Sequence, residues 1–228
     1  TKFKNKYLGT FGDFSSFSFY SSHQISSGEG GMICCNNNED HEIIKSLRAH
    51  GWSRGLKNEK KIALANKHLD SRFIFYNSGF NLRSTDIAAS IGLNQFKDLD
   101  KFIKQRMSNR AKILRFFKNN AKINKYVTFI KANKHVKASW FGIPILLSKN
   151  INRNKFLKKI EKIGVETRPI ISGNFLKQPS IKKYNLLQNS KFINSDIVNK
   201  RGFFIGLPTS PISDKKIKKL VGAFEKSL

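Results

Sequence analysis

At 228 residues the chain is long enough for one large domain or two small ones, and 43 Lys and Arg against 15 Asp and Glu give it a formal charge of +28. Charge of that size suits a nucleic-acid or anionic-surface binder, but the lysines are scattered among Asn, Ile and Phe, as in "KNNAKINKYVTFIKANK", instead of forming one basic stripe. That joint bias can arise from an A/T-rich coding sequence, so no nucleic-acid partner is expected, although a positive field would still favour an anionic substrate.

No apolar run is long enough for a transmembrane helix, and no signal-peptide pattern stands at the start. A cytoplasmic protein with no membrane partner is therefore expected. The two cysteines, Cys34 and Cys35, are adjacent, which makes neither a disulfide framework nor a metal site. In "GGMICCN" they are predicted to be small apolar residues of a buried strand in a reducing compartment. Two thiols cannot supply the four thiolates of an ordinary iron–sulfur cluster.

In chain order, residues 14–20 ("FSSFSFY") alternate Phe with small polar residues and predict a strand. "GGMICC" predicts a second. Between them lie Gly28, Gly30 and Gly31, which permit tight turns and close approach of backbone to a ligand. Residues 39–48 predict a helix, with Ile43, Ile44 and Leu47 at helical spacing, and "HGWSRG" follows as a loop. Residues 58–70 are polar and carry no clear pattern. "SRFIFYNSGFN" predicts a short strand running into a loop. From Ser84 a long helical pattern begins, with Ile87, Ile91, Phe96, Leu99, Phe102 and Ile103 near one face and Ser84 or Thr85 as N-cap. A single break near Asn94 is expected.

The remainder interleaves strands ("SWFGIPILL", "VETRPI", "FFIGLP") with helices at residues 152–163 and after Ser213 or Asp214, an α/β or α+β pattern. The expected division is a first domain at 1–118, including the connector helix, and a small C-terminal domain at 119–228.

Residues 9–31, "GTFGDFSSFSFYSSHQISSGEGG", resemble a pattern of the DegT/DnrJ/EryC1/StrS family of sugar aminotransferases, G-x-x-G-D-x-x-x-F-S-F-x-x-x-K-x-x-x-x-G-E-G-G. "NLRSTDIAASIGLNQFKDLDKFIKQR" resembles the family's N-x-R-x-x-D-x-x-A-A-x-G-x-x-Q-L helix, and "GVETRPI" its C-terminal-domain strand. The resemblance implies an α/β fold of the fold-type-I, aspartate aminotransferase-like class. This chain would supply the C-terminal part of the large domain plus the small domain. It also implies a pyridoxal 5'-phosphate or pyridoxamine 5'-phosphate cofactor and a homodimer. The family's cofactor-ring Asp and stacking aromatic residue lie upstream of the matched region, so a C-terminal part of a longer enzyme is expected.

The family's catalytic lysine position holds His23. "SFYSSHQ" and "SGNFLKQP" resemble the family's sugar 3-dehydratase subgroup, which acts on nucleotide-linked 4-keto-6-deoxyhexoses in deoxysugar and O-antigen lipopolysaccharide synthesis. A primary amine can bond covalently to the cofactor aldehyde; imidazole cannot, but it moves protons near neutral pH. The resemblance therefore makes His23 a general base, where a His in "SSHQ" taken alone is a solvated turn residue. It makes Ser18 and Asn81 cofactor-phosphate ligands, where the residues alone suggest strand packing and a turn. Glu29, His50, Arg168 and Asn174 are candidate substrate contacts. Each has an ordinary alternative: hairpin carboxylate, loop hydrogen-bonder, surface ion pair, and a subgroup marker without assigned chemistry, the last shared with Gln178. The expected amino donor is L-glutamate, and the shortage of cysteines favours the subgroup branch that releases its product without an iron–sulfur reductase. A sugar aminotransferase is the first alternative and a non-catalytic basic remnant the second.

Overall fold

A computed structural model describes residues 1–184 and 191–228. The chain clusters into two units, Thr1–Leu99 and Asp100–Leu228.

In the first unit, β1 (Lys2–Phe3) and β2 (Lys6–Tyr7) form a small hairpin whose turn residues Lys4 and Asn5 have φ of 46° and 65°. The longer hairpin pairs β3 (Phe14–Ser18) with β4 (Gly31–Cys35) antiparallel, Phe14 opposite Cys35 and Ser18 opposite Gly31. Helix α1 (Asn38–Arg48) starts where the Asn37 side chain accepts the Asp40 N–H at 2.8 Å, with acidic Glu39 and Asp40 in its first turn and Lys45 and Arg48 in its last, matching the helix dipole.

Two sequence expectations need correction here. Residues 58–70 contain a helix, α2 (Glu59–Ala65), which buries Ile62 against Leu56 and Ile74; seven residues are too few for a periodic signal. The stretch predicted as a strand at 71–81 opens instead with a 3-10 turn, Ser71–Phe73, because the Asp70 side chain caps the Arg72 N–H at 3.0 Å. Two isolated bridges, Trp52 to Phe75 and Ala49 to Asn81, are all that is strand-like there.

Thr85 caps α3 (Asp86–Phe96) through the Ala88 N–H. The break before α4 (Leu99–Lys118) falls at residues 97–98, three residues later than expected. The predicted burial of the β4 cysteines also fails: Cys34 is exposed and Cys35 partly so, because the β3–β4 sheet has only two strands and no buried side chain lies on either of them. Helix α3 likewise buries none of its residues.

The second unit is built on a four-stranded antiparallel sheet of order β5 (Val127–Phe129), β7 (Gly142–Leu147), β9 (Gly202–Gly206), β8 (Thr167–Arg168), with a short β6 at Val136–Lys137. Ile143, Ile145 and Leu147 alternate along β7, and Ile143 and Ile145 stand opposite Ile205 and Phe203. One face of the central strands is thus wholly apolar, as period-two alternation requires. It is covered by Ile113 and Phe117 of α4, Ile123 of α5 (Ala121–Tyr126), Phe156 and Ile160 of α6 (Arg153–Lys162), and Ile217 and Phe224 of α9 (Asp214–Ser227). Asn152 caps α6 and Ser213 caps α9. The short α7 (Pro179–Lys183) and α8 (Ile193–Arg201) flank the described segment ends. The expected boundary near residue 118 lies at the far end of α4 from this division; residues 113 and 117 belong to the second unit's core.

Candidate active site

The β3–β4 hairpin carries three of the candidate residues. Beyond Ser18 the pairing continues, with Phe19 N–H donating to the Gly30 carbonyl at 2.9 Å and Ser27 N–H to the Phe19 carbonyl at 2.9 Å. The Tyr20–Gly28 bridge closes the ladder, and residues 21–27 stand out as a loop. His23 N–H donates to the Tyr20 carbonyl at 3.0 Å, which makes a tight turn and leaves the imidazole exposed. Its Nδ1 lies 3.4 Å from Ser22 Oγ, and the Tyr20 ring meets it edge-on at 6.1 Å.

The loop is held from inside. Ser27 is buried, and its hydroxyl donates to the Glu29 carbonyl at 2.9 Å, fixing the backbone of the exposed Glu29. A Cβ on Gly30 would fall 2.4 Å from that hydroxyl, so a side chain there would have to displace it. From α3, Gln95 Oε1 accepts the Ser26 N–H at 3.0 Å. Ser18 Oγ accepts the Tyr20 N–H at 3.3 Å and keeps its own proton to donate.

A second constellation surrounds His50. Residues 77–82 return alongside the end of α1: His50 N–H donates to the Phe80 carbonyl at 2.7 Å, Phe80 N–H to Leu47 at 2.7 Å, and Leu82 N–H to Arg48 at 2.9 Å. The bridge between Ala49 and Asn81 belongs to this pairing and places Asn81, exposed, beside the His50 loop. His50 has φ 62° and Gly51 φ 84°. The Gly51 carbonyl accepts from both Tyr76 and Asn77. Arg83 Nη2 lies 3.3 Å from His50 Nε2; arginine has only donors, so this nitrogen accepts. The His50 ring packs on Trp52 at 4.9 Å, and the guanidiniums of Arg54 and Arg83 lie over the indole at 4.8 and 5.5 Å. Trp52 Nε1 is buried without an acceptor among the described residues.

The remaining candidates lie in the second unit. Arg168, on β8, is half exposed and pairs with Glu166 at 3.1 Å. Asn174 is 6% exposed; its amide donates to Asp196 Oδ1 at 2.9 Å and its oxygen accepts the Leu176 N–H at 3.1 Å, which starts the 3-10 turn Phe175–Lys177. Gln178 follows as the cap between that turn and α7.

The structure therefore gathers Ser18, His23 and Glu29 on one hairpin, and His50 and Asn81 on one loop pair. Sequence reasoning passed over Gln95, Trp52, Arg54 and Arg83. Three of these stand inside stretches already singled out, "HGWSRG" and "NLRSTD", but only the fold shows that their side chains meet. Among the described residues no group of three or more His, Cys, Asp or Glu is placed to hold a metal ion, and no helix is long and apolar enough to cross a membrane.

Comparison with known proteins places this geometry. A GDP-4-keto-6-deoxy-D-mannose 3-dehydratase of Escherichia coli O55:H7 is 32% identical over 209 residues, covering 90% of this chain and 52% of that protein. Its namesake from Yersinia pseudotuberculosis is 30% identical over 231 residues, covering 99% of this chain and 57% of that protein. The solved E. coli GDP-4-keto-6-deoxy-D-mannose-3-dehydratase with bound hydrated PLP superposes with a TM-score of 0.84 at 30% identity, covering 98% of this chain and 57% of that one. The chain spans about half the length of the curated relatives it matches. Its fold is thus a mixed α/β fold related to the PLP-dependent aminotransferase-like proteins. The family model matches residues 1–225, and the chain belongs to the DegT/DnrJ/EryC1/StrS aminotransferase family.

Proposed function

We propose that the chain works as the C-terminal part of a fold-type-I, pyridoxamine-phosphate-dependent nucleotide-sugar 3-dehydratase. The observation that carries this reading is His23 on the exposed β3–β4 loop, in the register where the family has lysine, with no lysine anywhere in residues 21–32. An aminotransferase needs a primary amine at that place.

The residues present fit the cofactor. Ser18 has a spare O–H donor, and Asn81 an exposed amide, both suited to a phosphate monoester. Pyridoxamine phosphate supplies an amine for the sugar's 4-keto carbon and a ring that takes up electrons. His23 holds no covalent bond to it. Nδ1 faces Ser22, so the proton moves at Nε2. His23 takes a proton from the cofactor methylene and delivers one to the C3 hydroxyl as that group leaves as water. Gln95 and Ser27 keep the loop in place during both transfers. Arg54 and Arg83 flanking Trp52 give guanidinium donors and a flat ring for a nucleoside diphosphate. Glu29 and His50 are further proposed substrate contacts of the first unit; in the second unit Arg168 is a proposed substrate contact by itself, and Asn174 shapes its own turn. L-glutamate restores the amine, and the working form is a homodimer.

The test uses full-length protein loaded with pyridoxal phosphate and treated with glutamate, following the aldehyde-to-amine absorbance change. A GDP- or CDP-linked 4-keto-6-deoxyhexose is then added and its product weighed by mass spectrometry. Loss of the C3 oxygen in wild type, reduced at least ~100-fold in His23→Asn, is the expected result. A 4-amino sugar from the wild type would mean an aminotransferase.

A further inference from the structure

The second unit contains a cleft of about 610 Å3 between the start of α6 and the body of α8. Lys149 and Arg153 line it on the α6 side, and Lys200 and Arg201 on the α8 side, with Ile193 as apolar wall. Asp196 is the one carboxylate in the lining, and its Oδ1 is already engaged by Lys177 at 2.6 Å and Asn174 at 2.9 Å.

Positive charge is too common in this chain to mark a site. Concavity and a pre-set guanidinium distinguish this cleft. Arg153 Nη1 donates to the carbonyls of Asn199 at 2.8 Å and Gly202 at 3.0 Å, the C-terminal end of α8. These bonds fix the plane of the guanidinium, and its Nε is buried without an acceptor among the described residues. Lys149 and Arg201 make no ion pair among the described residues. An anion here meets one guanidinium whose plane is already set, beside three further cations that line the cleft and are ordered by binding itself.

Four cations on two walls exceed what a single carboxylate can neutralise. We propose that this cleft binds the diphosphate group of a small anionic ligand, at residues distinct from His23, Ser18 and Asn81. Two sources share that chemistry, free pyrophosphate and a nucleoside diphosphate, and the experiment separates them.

Purified protein is titrated by calorimetry at fixed ionic strength with inorganic pyrophosphate and, separately, with GDP. The variants are Lys149→Gln, Arg201→Gln and, as a control on exposed α9, Lys215→Gln. Arg153 is left intact because it holds the end of α8. Each cleft variant is expected to weaken pyrophosphate binding roughly tenfold, as loss of one charge-assisted contact does, while Lys215→Gln binds like the wild type. GDP binding more tightly than pyrophosphate, with the same losses, assigns the nucleotide as source; equal affinities assign the free diphosphate. An equal loss in Lys215→Gln, unchanged affinity in both cleft variants, or no saturation by roughly millimolar ligand overturns the proposal. No turnover is read, so the outcome does not depend on the dehydratase reading.

Discussion

Asp70 and Arg72 show what one side chain can do on the surface of this protein. Arg72 donates to both Asp70 oxygens, from Nε at 3.0 and 3.2 Å and from Nη2 at 2.6 Å, and its backbone N–H adds a third donor. These side-chain bonds first, and the backbone bond second, hold the Asp70 carboxyl down at about 2. A depressed folded value means that the contribution is complete above the unfolded value of ~3.9 and is lost as pH falls through about 2. The 3-10 turn at Ser71–Phe73 should therefore persist at pH 3, where most free carboxylates are protonated. NMR titration of the Asp70 carboxyl is expected to give a midpoint near 2, rising toward ~3.9 in Arg72→Gln; an unchanged midpoint in that variant would remove Arg72 as the cause. Single residues were also the least legible scale in the sequence. His23 stood out only through the family register, since its turn composition is ordinary. Asn174 carried a subgroup signature, yet its burial and its bond to Asp196 come from a segment in which no periodic pattern predicts an inward face.

Among the elements, the pairing of residues 77–82 with the end of α1 decides where His50 and Asn81 stand. Gly51 is its tightest point. At φ 84°, a Cβ there would lie 1.7 Å from the Asn77 carbonyl oxygen. Gly51→Ala cannot be absorbed by a side-chain rotation, and a cost above about 3 kcal/mol is expected from the clash and the left-handed backbone together. The same change should pull the His50 ring off Trp52, so Trp52 fluorescence reports it directly; wild-type fluorescence and stability would show that the loop can shift at no cost. Gln95 is the corresponding brace for the His23 loop. Gln95→Leu removes the acceptor for the Ser26 N–H, and faster amide exchange at Ser26 and His23 is expected, with loss of about 1–3 kcal/mol locally. Exchange unchanged from wild type would mean that Ser27 holds the loop alone. At this scale the sequence read well wherever an element had length or a cap: α3 and α9 begin directly after an expected capping residue or at it, and α1 and α6 begin within one residue of the expected start. It failed for α2 and the 3-10 turn, which are too short to display a period and are set by Asp70 and by packing on Leu56.

For the molecule as a whole, the two units differ in how much apolar surface they bury. Among the described residues, fourteen buried side chains form one cluster in Asp100–Leu228. Three, Leu56, Ile62 and Ile74, form the cluster in Thr1–Leu99, while Phe75, Phe80, Leu82, Ile87, Leu93 and Phe96 of that unit are more than half exposed. The alternating and helical periods that the sequence displays are present in both, so periodicity alone predicted burial for β4 and α3 that the described residues do not supply. Burial of apolar surface is the main favourable term in folding, and the second unit should therefore carry the cooperative stability. It also has polar anchors at its centre: Asn109 donates to the carbonyls of Pro208 and Ser210 at 3.0 and 2.8 Å and accepts from Ile212 N–H at 3.2 Å. Phe224→Ala, in a core where Phe117, Phe156 and Phe203 all touch that ring, should cost about 3–5 kcal/mol. Ile87→Asp, at a side chain 76% exposed, should change the chain's own unfolding free energy by no more than about 0.5 kcal/mol. Limited proteolysis puts both on one assay. A protected fragment beginning near residue 100 should survive in the wild type and in Ile87→Asp, and disappear in Phe224→Ala. A protected fragment from residues 1–99 instead would place the stable core in the unit with three buried apolar side chains, against the burial that the structure shows.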